Sequence, residues 1–200
     1  MKILLFGATG MIGQRIATEL TNHGHEVTGV SRSGPVKGDV HDAATLARGH
    51  DLVISAIAPP RDGSEPEGPF LDAQRALIDG VRAAGVRRLI VVGGAGSLQV
   101  APGLDLVDAP GFPELYKKES LAQRAALGLY REVDDLDWTY ISPSVEIEPG
   151  ERTGHYRVGG DQLLADDEGN SRISAEDYAV AIADEVEKGE HPRRRITVAY

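Results

Sequence analysis

Residues 2–15, KILLFGATGMIGQR, carry a short apolar run straight into three glycines, Gly7, Gly10 and Gly13, spaced three apart. The run suits a strand buried on both faces, and Ile12, Ile16 and Leu20 then recur at four-residue spacing, as one face of a helix requires. The unit is therefore strand, glycine turn, helix. Without Cβ atoms such a turn lets the backbone approach a pyrophosphate, whose charge meets the free amides and positive dipole end of the helix. The spacing departs from G-x-G-x-x-G by one extra residue between the first two glycines. Within a βαβ unit it still reads as a dinucleotide turn, with Gly7, Thr9, Gly10, Met11, Ile12 and Gly13 as the expected pyrophosphate contacts.

Outward from that turn, the helix stops near His23 and Gly24, and HEVTGVSR (25–32) forms the second strand. NAD-binding chains place a carboxylate at the end of this strand to bond the ribose hydroxyls; here Arg32 stands there between Ser31 and Ser33, and Glu26 lies at the wrong end. A guanidinium pairs bidentately with a 2′-phosphate, so NADP(H) is expected over NAD(H). Asp39 and Val40, after a short third strand near Lys37 to Val40, are expected at the adenine. Ala56 and Ile57, closing the fourth strand DLVISAIA (51–58), are expected at the ribose.

The alternation continues. A short helix is expected from Asp42 to Arg48, a longer one through Phe70, Ala73, Leu77, Val81 and Ala84, and a fifth strand at RRLIVVGGAG (87–96). A proline-containing loop, a helix over 114–131 and a sixth strand at LDWTYISPS (136–144) follow. Strands separated by helices of this length predict an α/β fold, a Rossmann-like doubly wound parallel sheet. One domain is expected over 1–200, with residues 150–173 as a small substrate-side cap.

Composition narrows the partners. The net charge of −10 and a basic cluster limited to Arg193, Arg194 and Arg195 argue against nucleic acid. No apolar stretch approaches the roughly 18 residues of a membrane span, and the chain contains no cysteine, so a cytoplasmic protein without disulfides or thiolate metal sites is expected. The six histidines are scattered without ligand spacing, and no metal site is expected.

The segments GATGMIGQRIATEL, ISAIAPP, VVGGAGSL, LDWTYISPS and TGHYRVGGDQLLADDEGNSRIS, followed by EDYAVAIADEVE, resemble the atypical short-chain dehydrogenase/reductase group. That group includes NADH-flavin reductase-like, NmrA-like and biliverdin-IX-beta reductase-like proteins, and the resemblance spans nearly the whole chain. It implies an NAD(P)H-dependent reductase acting on a small-molecule acceptor, with flavin as one such substrate. It also implies hydroxyl donors near Ser97 and Tyr116, the nominated catalytic residues. The chain departs from the family's Tyr-x-x-x-Lys pair: four residues after Tyr116 stands Ser120, and the lysines are Lys117 and Lys118. Lysine normally lowers the phenol pKa for proton donation to an alkoxide. Its absence favours hydride transfer to a flavin, quinone or similar conjugated acceptor. The alternatives are an NADP(H)-sensing regulatory protein without turnover and a ketone or sugar reductase or epimerase.

Overall fold

The computed structural model describes all residues 1–200. Its first half runs β1 (Lys2–Phe6), α1 (Met11–Asn22), β2 (Glu26–Ser31), β3 (Val36–Lys37), α2 (Ala43–Leu46), β4 (Leu52–Ser55), α3 (Glu67–Ala84) and β5 (Arg88–Val92). The second half runs β6 (Gln99–Ala101), β7 (Leu104–Asp105), α4 (Glu114–Arg131), β8 (Asp137–Ser142), β9 (Glu146–Glu148), β10 (Arg157–Gly159), β11 (Arg172–Ser174), α5 (Ala175–Lys188) and β12 (Arg194–Ala199).

Eight strands form one sheet in the order β10-β12-β8-β5-β4-β1-β2-β3. Every pairing in it is parallel except that of β10 with β12. The chain reverses its direction of travel across the sheet between β1 and β4, and the C-terminal ends of those neighbours open the crevice where doubly wound sheets hold ligands. Residue alternation assigns the two faces. Leu4, Phe6, Val53, Leu89, Val91 and Tyr140 pack on one side with Leu77, Val81, Leu127 and Tyr130 from α3 and α4. Ile3, Leu5, Ile54, Ile90 and Ile141 pack on the other with Ile16 and Leu20 of α1 and Tyr178 and Ile182 of α5. Both faces are covered, which is why the strands read as continuous apolar runs. The buried phenols find acceptors: Tyr140 donates to the Gln123 carbonyl at 3.0 Å and Tyr178 to the Ile141 carbonyl at 2.6 Å. No helix is long and apolar enough to cross a membrane.

The structure departs from expectation in three places. The third strand is only Val36–Lys37, and Val40–Asp42 turns as a 3-10 helix before a short α2. A reciprocal cap causes this: the Asp39 carboxylate accepts the His41 N–H at 2.8 Å, and the Asp42 carboxylate accepts the Asp39 N–H at 3.0 Å. Second, Arg194–Ala199 is a buried strand whose opening arginines hide its apolar pattern. Third, the stretch expected as a cap contributes β10 to the main sheet, while Asp161 and Leu163 exchange backbone hydrogen bonds with Gln99 just beyond β5.

Candidate functional site

At the end of β1, Gly7 has φ +79° and its amide bonds back to the Val30 carbonyl at 3.0 Å, so the chain turns out of the strand at once. A Cβ on Gly13 would lie 2.1 Å from the Gly7 carbonyl oxygen, and one on Gly7 would lie 2.6 Å from the Ala56 carbonyl oxygen. These two glycines let α1 start directly against β1 and β4. Gly10 caps α1 without a side-chain bond, and no acidic residue stands in the helix's first turn. First-turn amides and the positive dipole end therefore face the crevice uncompensated. A diphosphate fits this cradle, whose walls are backbone where any side chain would intrude. Thr9, Gly10 and Met11 are exposed along it, Ile12 is half-buried, and Gln14 Nε2 holds the Thr9 carbonyl at 2.8 Å.

On the side expected for the adenosine, Arg32 and Ser33 are exposed, whereas Ser31 is buried and its Oγ accepts the Gly34 N–H at 2.7 Å, closing the turn after β2. The Asp39 carboxyl is held below its ordinary range, first by the His41 backbone N–H, then by the His41 ring, with Arg32 adding a smaller attraction. Val40 differs from its expected role: it is 3% exposed and packs in the core, which leaves its side chain no face for an adenine ring. Ala56 and Ile57 are half-buried just past β4. Ser55 Oγ beneath them is buried without a partner, an orphaned hydroxyl at the floor of the crevice.

Beyond β5 the glycine-rich turn is clamped from two sides. Position 96 approaches α4 so closely that a Cβ there would meet Ser120 Cβ at 2.5 Å. From the opposite side comes Arg195 of β12, whose side chain is only 2% exposed. It donates from Nη2 to the Ser97 carbonyl at 3.2 Å, from Nη1 to Ser97 Oγ at 3.4 Å, and from Nε to Asp161 at 2.7 Å. Ser97 is buried, and its hydroxyl is an acceptor within this network.

Tyr116 sits in the first turn of α4 and is 42% exposed. The Arg61 guanidinium lies over its ring, 5.3 Å from the centroid. Arg61 Nε and Nη2 both bond the carboxylate of Glu119, a group almost wholly withdrawn from solvent, and this partner above all raises the guanidinium pKa. Glu119 in turn receives Gln123 Nε2 at 3.5 Å within α4, and Gln123 packs against the turn after β5, where a Cβ on Gly94 would lie 2.5 Å from its Oε1. Lys117 pairs with Glu114 at 3.7 Å and Lys118 with Glu65 at 2.5 Å. Ser97 and Tyr116 therefore occupy the same edge of the sheet, with neither Lys117 nor Lys118 in the place of the family's lysine partner to the phenol and the Arg61 guanidinium over its ring. Arg61, Glu119 and Arg195 were missed in the sequence because each is defined by a partner 34 or more positions away.

The family model for NAD(P)H-binding proteins matches residues 7–188. An exported protein of Burkholderia pseudomallei, so described by its name, is 49% identical with TM-score 0.91, each chain covered completely. A protein of Bacteroides thetaiotaomicron named as an epimerase is 39% identical with TM-score 0.91, covering 100% of this chain and 96% of that one. A protein of Streptococcus pneumoniae named as an NADH-flavin reductase is 33% identical with TM-score 0.86, covering 100% and 99%. The glycine cradle, the strand order and a match running from the first turn to the last helix agree: this chain belongs to the NAD(P)H-binding family of Rossmann-like proteins.

Proposed function

We propose that the chain is an NADPH-dependent reductase that passes hydride to a flat, conjugated acceptor of the flavin or quinone class. The observation that carries this reading is Ser120. It occupies the position four residues after Tyr116 and packs against Gly96, while Lys117 and Lys118 are drawn to carboxylates elsewhere. Reduction of an isolated carbonyl concentrates charge on one oxygen and calls for a tuned proton donor beside it. A flavin or quinone spreads the incoming charge over its rings and takes its proton from solvent.

The surroundings suit such an acceptor. Met11, Leu115, Tyr116 and Val145 are four of the seven exposed large hydrophobic residues, and all stand at the C-terminal edge of the sheet, where a planar ring would rest. A reduced nicotinamide, when bound, supplies the hydride. The chain's part is to hold the dinucleotide by the glycine cradle, with the exposed Arg32 and Ser33 on the 2′-phosphate, and to offer the acceptor an apolar seat. The pneumococcal relative's name agrees with this acceptor class. The name of the Bacteroides relative points to epimerisation, a chemistry for which Ser120 leaves the phenol without its usual helper.

Steady-state NADPH oxidation with FMN, menadione and a panel of ketones tests the reading. Turnover is expected with the first two and not with the ketones. Absence of turnover with every acceptor would sink it, and ketone reduction abolished by Tyr116→Phe would replace it with the carbonyl mechanism.

A further inference from the structure

A guanidinium has two hydrogen-bonding edges, a lateral one formed by Nε and one Nη, and a terminal one formed by both Nη groups. In Arg61 the lateral edge is taken by Glu119, with Nη2 at 3.1 Å from Oε1. Its terminal edge has no partner in the chain, and the side chain is 61% exposed although its carboxylate anchor is only 11% exposed. Nearby carboxylates are engaged elsewhere: Asp62 accepts the Ser64 N–H at 3.0 Å and Glu65 pairs with Lys118. Glu119 thus fixes the direction in which Arg61 points while leaving three of its five N–H donors free. The guanidinium is also braced over the Tyr116 ring, one of the side chains of the proposed apolar seat.

We propose that the free edge of Arg61 binds an oxyanion carried by the acceptor, so that the site selects flat acceptors bearing phosphate, sulfonate or carboxylate over neutral ones with the same ring system. The inference deepens the reductase reading and rests on it for the identity of the ring. Two parallel N–H donors match two oxygens of one anion, a geometry that a freely rotating surface lysine does not provide. Because the guanidinium is held before the ligand arrives, little of that hydrogen bonding is spent on ordering the side chain.

Two matched pairs test the inference: FMN against riboflavin, and 1,4-naphthoquinone-2-sulfonate against menadione. Flavin affinity is read by fluorescence quenching on the NADP+-loaded protein, and quinone KM by NADPH oxidation. The anionic member of each pair is expected to be favoured about tenfold, the effect of one solvent-accessible bidentate contact. Arg61→Gln should equalise the members of each pair. That variant leaves Glu119 buried and unpaired, so the double variant Arg61→Gln with Glu119→Gln, which removes both charges, should give the same result. Equal affinity for both members in the wild type, or a preference that survives both variants, overturns the inference. If FMN still binds better than riboflavin but no acceptor is reduced, the reductase reading fails and the oxyanion site stands.

Discussion

Arg195 reaches from the last strand to Ser97, donating to both its carbonyl at 3.2 Å and its hydroxyl at 3.4 Å, and so ties the turn after β5 to an element almost 100 residues away. The same guanidinium bonds Asp161, on the loop after β10. With a third contact, from Nη1 to Ser142 Oγ at the end of β8 at 3.5 Å, it is a buried charge whose donors are shared among three segments, and losing it strands those acceptors. Arg195→Met should lower stability by about 1–3 kcal/mol in urea denaturation. Hydrogen exchange should locate the lost protection at residues 93–98. Arg195→Lys should restore less than half of the loss, since one ammonium cannot reach the three segments; full recovery would show that charge alone matters there.

Gly13 and Gly10 separate the two demands made on the turn. Alanine at position 13 would drive a methyl into the Gly7 carbonyl, whereas at position 10 the nearest atom is 3.4 Å away. Gly13→Ala should therefore cost about 1–3 kcal/mol through overpacking and shift the cradle, and Gly10→Ala should leave thermal stability close to that of the wild type. Nucleotide titration should show weakened NADPH binding in both, the first by distortion and the second by a methyl facing the phosphates. A Gly13→Ala protein as stable as the wild type would contradict the contact.

Elements governed by local chemistry were legible in the sequence. The turn at Gly7–Gly13, the helix at Glu114–Arg131 and the strand at Asp137–Ser142 each follow from apolar spacing, a breaker or a cap within a few residues. What stayed hidden depends on distant partners. Arg194–Ala199 opens like a basic surface stretch, and only Asp161 and Ser97 make a buried Arg195 tolerable. Glu119 reads as a solvent-facing helix residue until Arg61, 58 positions earlier, folds over it. Val40 shows the converse: its neighbour Asp39 stays exposed, but the local cap turns Val40 inward.

His23 should make stability depend on pH. Its Nδ1 lies 2.9 Å from Glu187 and its Nε2 lies 3.0 Å from Glu19, so only the imidazolium can donate to both carboxylates. Glu187 above all, with Glu19, raises the His23 pKa, and the Glu187 carboxyl is lowered in return. A raised histidine contributes stability that is complete below its unfolded value, near 6.5, and disappears as pH rises through the folded value. The lowered carboxylates act at the other end, losing their contribution as pH falls through the acid range. The clamp joining α1 to α5 should accordingly be strongest between about pH 5 and 6. The difference in Tm between the wild type and His23→Gln should be largest there and shrink by about pH 8. A difference that grows toward alkaline pH would show that neutral His23 is the stabilising form.

On the proposed reading, Arg32 decides which nucleotide the cradle serves. It follows β2 directly, in the exposed position where a carboxylate would favour a free ribose hydroxyl, and Ser31 and Ser33 flank it. Asp39 is the nearest acidic candidate for that role, but its carboxylate is engaged by His41. A guanidinium gains a charge-assisted contact only when the 2′-phosphate is present, so its effect should appear in NADPH and not in NADH. Arg32→Ala should weaken NADPH binding by about tenfold or more in calorimetric titration while changing NADH affinity by less than about threefold. Raising salt should narrow the wild-type preference in the same direction, because the contact is exposed and screened. Equal losses for the two nucleotides would assign Arg32 to the turn itself and leave the choice of cofactor to another group.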